Sequence, residues 1–91
     1  MYVIMCKVYI HDKKKSTLKA SYPVFSVKTE KEIHKWMAEE PEKIVDHLKI
    51  LYPEQTWEIG DRDNSIAHIW NKQDNLERIY YAEDVSKGEL L

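Results

Sequence analysis

The segment Thr29–Tyr52 reads as helix, and it stands between two stretches that alternate like β-strand. Upstream, Tyr2–His11 and Leu18–Lys28 alternate. Downstream, Thr56–Ile59, Ile66–Asn71 and Leu76–Ala82 do the same. Two strands, a helical segment and three strands predict an α+β domain: a mainly antiparallel sheet with a helical cover on one face. The sheet is either β-grasp-like, with the first strand central, or a plain antiparallel sheet. Small α+β domains of this kind are common among phage-encoded and mobile-element proteins, although no motif here carries that association.

The helical segment has its own start and stop signals. Thr29-Glu30-Lys31-Glu32 is a capping-box pattern, in which Thr29 caps and Glu32 reaches back to its amide. Ile33, Trp36, Met37, Ile44, Leu48 and Leu51 form one apolar stripe, and Pro53 ends the segment. Pro41 interrupts the stripe without changing its phase. Proline removes a helix bond, so the segment either kinks there or divides into two short helices, with two helices slightly favoured.

In the first strand, Ile4, Cys6 and Val8 share the face predicted to meet the core. Asp12–Ser16 is polar and reads as a hairpin loop. In the second strand the alternation changes parity at Pro23, which marks an edge or a bulge, because proline cannot donate to a ladder. The clusters Gly60–Ser65 and Asn71–Asn75 are turns, so the last three strands form a meander. Residues 83–91 lack a period and read as a tail that frays.

The 91 residues suit one domain, 1–91, that buries about 60–70% of its unfolded surface. Cys6 is the only cysteine, which rules out an intrachain disulfide and favours a reducing compartment. The N-terminal apolar run is too short for a signal sequence, and no run approaches the roughly 18 apolar residues of a membrane span. The cytoplasm is therefore the expected location, with no membrane partner. Net charge is −2, but it is unevenly spread. Residues 1–28 hold six lysines against Asp12, a balance of +5, and the remainder holds eight basic against fifteen acidic residues, a balance of −7.

No pattern points to an enzyme, so no catalytic residue is predicted. Of the histidines His11, His34, His47 and His68, His34 and His47 are thirteen apart, off the spacing that puts two metal ligands on one helix face, and His68 has no carboxylate nearby in sequence. Ser16, Ser21, Ser26 and Ser65 lack a glycine-framed elbow, and two glycines cannot build a phosphate loop. The Glu39-Glu40 pair reads as solvated charge. The acidic run from Asp61 to Asp63 lacks the glycine and distal glutamate of a calcium loop. Neither a metal nor a cofactor is expected.

The aromatic residues carry the functional expectation. Trp57, Trp70, Tyr80 and Tyr81 concentrate in the meander, and one helix covers only one face of it. Tryptophan, tyrosine and arginine dominate protein-interface hot spots. The chain thus reads as a non-enzymatic protein-binding domain, an inhibitor, adaptor or regulatory subunit. Its partner is another protein or a second copy in a homodimer. The expected surface is the open face with Trp70, Arg78 and either Tyr80 or Tyr81, which alternation puts on opposite faces, rimmed by the acidic turn with Asp61 and Asp63 and by the acidic helix. The acidic helix and turns would also suit mimicry of a phosphate array. The alternative is nucleic-acid binding through Lys13, Lys14, Lys15 and Lys19 of the first hairpin, with Tyr9 and Tyr22 as its aromatic neighbours.

Overall fold

All five predicted strands form and join one sheet. In the computed structural model, which describes residues 1–85, these are β1 (Tyr2–His11), β2 (Ser16–Val27), β3 (Trp57–Arg62), β4 (Ile66–Asn71) and β5 (Leu76–Asp84). They run antiparallel in the order β2-β1-β5-β4-β3, and α1 (Glu30–Leu51) packs on one face. This is the plain antiparallel arrangement. The middle strand is β5, so the β-grasp-like alternative with β1 at the centre does not form. Glu83 and Asp84 extend β5 and do not fray, whereas the rest of that tail expectation, 86–91, falls outside the described residues.

The capping box forms in part: Thr29 caps as expected, but Glu32 reaches the Lys28 amide in place of the Thr29 amide. The Thr29 hydroxyl accepts from the Glu32 amide at 3.2 Å, and the Glu32 carboxylate turns back to the Thr29 hydroxyl and the Lys28 amide, both at 3.4 Å. α1 continues through Pro41 as one helix, not two. The proline removes a single backbone donor, and its ring lies fully buried on the core-facing stripe with Ile33, Trp36, Met37, Val45 and Leu48. Packing of that stripe outweighs the local preference for a break. The stripe itself differs from the expected one at two positions. Val45 is buried where Ile44 is only partly so, and Leu51 is 55% exposed at the helix end.

The helix lies obliquely. It enters from the end of β2, approaches β3 and β4 most closely, and leaves towards β3. Beneath it Ile4, Cys6, Ala67 and Ile69 are fully buried, and the Trp36 ring packs on Tyr80 with centroids 5.6 Å apart. Cys6 is therefore on the core face, as its alternation predicts. The price of this oblique path is incomplete cover, since the middle of edge strand β2 stays open to solvent.

β2 carries the bulge expected near Pro23. Pro23 pairs with Met5 and Phe25 with Ile4, leaving Val24 as the inserted residue. A second irregularity leaves Lys19 between Leu18 and Ala20, and no proline announces it. At the opposite edge, Gly60 allows the Trp70 ring to lie against the β3 backbone. A Cβ at residue 60 would sit 2.7 Å from Trp70 Cδ1 and 2.8 Å from Nε1. Gly60→Ala should therefore displace the indole and cost about 1–3 kcal/mol. Urea unfolding measures it, and a loss below about 0.5 kcal/mol would show that the ring moves aside freely.

Candidate functional site

The registers decide which face each expected contact residue occupies. Cys6 pairs with Tyr80, Val8 with Arg78 and Met5 with Tyr81. Tyr80 and Arg78 thus share the face of Cys6, beneath the helix side, while Tyr81 and Trp70 lie on the open face. Tyr80 is only 3% exposed, so it is a core residue and not a contact residue. Of the expected surface, Trp70 and Tyr81 lie on the open face, so Tyr81 is the tyrosine that occupies it, and Arg78 and Tyr80 lie on the helix side.

On the open face a hydrogen-bonded chain crosses four strands. Ser16 of β2 meets His11 of β1, with Oγ 2.6 Å from Nδ1. His11 Nε2 lies 2.9 Å from Glu77 Oε1 on β5, and Glu77 Oε2 lies 2.5 Å from His68 Nδ1 on β4. Glu77 is 5% exposed. With the carboxylate ionised and His11 neutral, His11 would donate from Nε2, His68 from Nδ1, and the Ser16 hydroxyl to His11 Nδ1. Trp70 closes over this chain, its ring 5.2 Å from that of His11. Trp70 is therefore held between Gly60 and His11, a cover for the network more than a free anchor. Tyr81 carries the Lys7 ammonium 5.3 Å from its ring centroid.

The order Ser16, His11, Glu77 has the spacing of a nucleophile, base and orienting acid. The backbone amides beside Ser16 do not complete such a site. Those of Lys14 and Lys15 both donate to Asp12 Oδ1 at 2.9 Å, which builds the hairpin turn and holds the Asp12 carboxyl below its ordinary value. The chain of four side chains acts as a clamp across the sheet. Sequence reasoning missed it because Glu77 and His68 meet only through strand register.

The helix side offers a different feature. Arg78 sits half-buried between β1 and β4, where Nη1 donates to the Tyr22 hydroxyl at 3.0 Å and the guanidinium carbon lies 5.9 Å from the Trp57 ring centroid. Burial works against its charge, but the neighbouring Tyr80 and Tyr22 phenols offset this and hold the guanidinium above its ordinary value. Burial pushes the phenols of Tyr80 and Tyr22 upward, and the Cys6 thiol adds to both shifts. Arg78 lines one hollow beside α1 with Ile44, His47, Leu48, Leu51 and Tyr52. A second hollow lies between α1 and β2 and is lined by Phe25, Val27, Trp36 and Glu39; Lys43 borders both. Together they make a groove along one flank of the helix. Its rims are apolar and open: Phe25 is 55% exposed, Tyr22 38% and Leu51 55%. The available signal was the run Tyr22-Pro23-Val24-Phe25, apolar residues gathered at an edge-marking proline.

The charged candidates scatter. Asp61 is exposed on β3 one residue before its end, and Asp63 is a turn-former whose Oδ1 accepts from the Ser65 and Ile66 amides at 2.8 and 3.0 Å. The Ser65 amide is the main cause holding Asp63 below its ordinary value. Lys13, Lys14 and Lys15 are exposed at the β1–β2 tip and Lys19 at the second irregularity, but Tyr9 and Tyr22 lie on opposite faces and cannot form one stacking platform. Among the described residues no group of His, Cys, Asp and Glu could hold a metal ion, and no helix is long and apolar enough to cross a membrane. The chain matches no family model, no curated protein and no solved structure.

Proposed function

We propose that this chain is a non-enzymatic protein-binding domain, acting as an inhibitor, adaptor or regulatory subunit, and that it docks its partner in the groove between α1 and β2. The observation that supports this is the apolar rim formed by Phe25, Tyr22 and Leu51, all exposed, around a groove with Arg78 at one end and Glu32, Glu39 and Glu40 along the other. Exposed aromatic residues that border a groove are the common anchors of protein interfaces. The buried free thiol of Cys6 favours a cytoplasmic setting.

The test is capture of a partner from the native cell extract on immobilised wild type and Phe25→Ala. Truncation of a hot-spot aromatic should weaken retention by about thirtyfold or more, whereas changing Lys13, Lys14 and Lys15 together to Gln should mainly slow association. Equal retention by wild type and Phe25→Ala would remove the groove from the reading. The exposed lysine tip supports a second reading, nucleic-acid binding. Under it the triple change abolishes retention on nucleic acid and flattens the salt slope by about three charges. The expected result is no binding by the wild type at physiological salt.

A further inference from the structure

Arg78 stands out in its groove because it is a half-buried cation without an acid. Of the two arginines, Arg62 pairs with Glu42 and Arg78 has no carboxylate at ion-pair distance among the described residues. Lys43, at the border of the hollow, already pairs with Glu40 at 3.3 Å. Among the described residues Arg78 Nη1 donates to the neutral Tyr22 hydroxyl, the Tyr80 phenol stands beside the guanidinium, and Nε is buried with no hydrogen-bond partner. A guanidinium has five donors arranged to meet a carboxylate edge-on. Two phenols offset its burial, but both are held neutral, and a half-buried guanidinium is ordinarily paired with a carboxylate.

We propose that the groove receives an acidic side chain flanked by apolar residues on a partner protein, with its carboxylate held by the Arg78 fork. This rests on the groove being the docking surface. Tyr22 fixes the guanidinium from the β2 side and Trp57 backs its plane. Ile44, Leu48, Leu51 and Tyr52 provide the apolar wall for the flanking residues. The arrangement supplies both terms of recognition: apolar burial for affinity, and a single desolvated ion pair for the choice of partner.

The experiment selects binders from a random-sequence peptide library displayed on phage, using the wild-type domain, Phe25→Ala, Arg78→Met and Arg78→Lys. The wild type should enrich peptides with Glu or Asp beside leucine or aromatic residues. Replacing that acid by its amide should weaken a selected peptide by about ten- to a hundredfold, as for a charged hydrogen-bonded pair. Arg78→Met should lose binding to the same extent while melting close to the wild type, because loss of the Tyr22 hydrogen bond is offset by removal of a half-buried charge that lacks a carboxylate. Arg78→Lys keeps the charge, loses the fork, and should fall between the two. Selected peptides that Phe25→Ala weakens but that carry no acid would overturn this proposal and leave the groove reading standing. Selection of no peptide sensitive to Phe25→Ala would overturn the groove reading itself. A melting temperature lowered by Arg78→Met as much as by a core truncation would make Arg78 a structural group satisfied by Tyr22 and Trp57. A wild-type dimer that Phe25→Ala dissociates would put a second copy in the groove, and either result would overturn the proposal.

Discussion

Leu48→Ala should lower stability by about 2–5 kcal/mol, while Lys49→Ala, one residue along the same helix, should stay within about 0.5 kcal/mol. Leu48 is 5% exposed in the cluster that joins α1 to the sheet, and Lys49 faces solvent. Truncating the leucine forfeits apolar burial and leaves a cavity that the surrounding sheet cannot fill, because β-strands held by ladders on both sides relax little. In a domain of this size each kcal/mol moves the melting temperature by roughly 4–8 °C, so the two variants separate clearly in a thermal scan. Equal losses would mean that the helix presents a different face to the sheet.

Glu77→Ala should cost about 2–4 kcal/mol, a large effect for a polar residue. The change removes the one carboxylate to which both His11 and His68 donate, and it breaks the chain that ties β2, β1, β5 and β4 together. Half-buried donors left without an acceptor account for most of the loss. Glu77→Gln should cost less. Its amide oxygen still accepts from one imidazole, and its amide nitrogen donates to the other once that ring changes tautomer. Urea unfolding measures the ranking, and nitrogen-15 spectra of the imidazoles report the tautomers. In the wild type His11 should carry its proton on Nε2 and His68 on Nδ1. The opposite tautomers, or equal losses for Ala and Gln, would show that the clamp does not hold as described.

Local rules located most of the fold. Thr29 and Glu32 mark the helix start through contacts three residues apart, and alternation alone finds β4 at Ile66–Asn71. What escaped was set at long range. Pro41 carries a local instruction to break, but its burial against the sheet overrides it. Alternation separates Tyr80 from Tyr81 without saying which of them the helix covers. That follows only from the pairing of Cys6 with Tyr80, seventy-four positions apart in sequence. The same distance hid the clamp, whose four members come from four strands. The groove was hidden for another reason: a helical cover was expected to span its face of the sheet, and the oblique path of α1 leaves β2 outside it.

Three of the four ladders join neighbours in the chain and close short loops. The fourth, between β1 and β5, joins Tyr2–Ile10 to Leu76–Asp84 across the helix and the meander. Its closure entropy must be met before any of its contacts form, so this ladder sets the folding rate at the slow end for a mixed domain. During synthesis the β1–β2 hairpin emerges early, and the inner edge of β1 stays bare until β5 has been made. That edge is where a growing chain is open to strand exchange with another copy of itself.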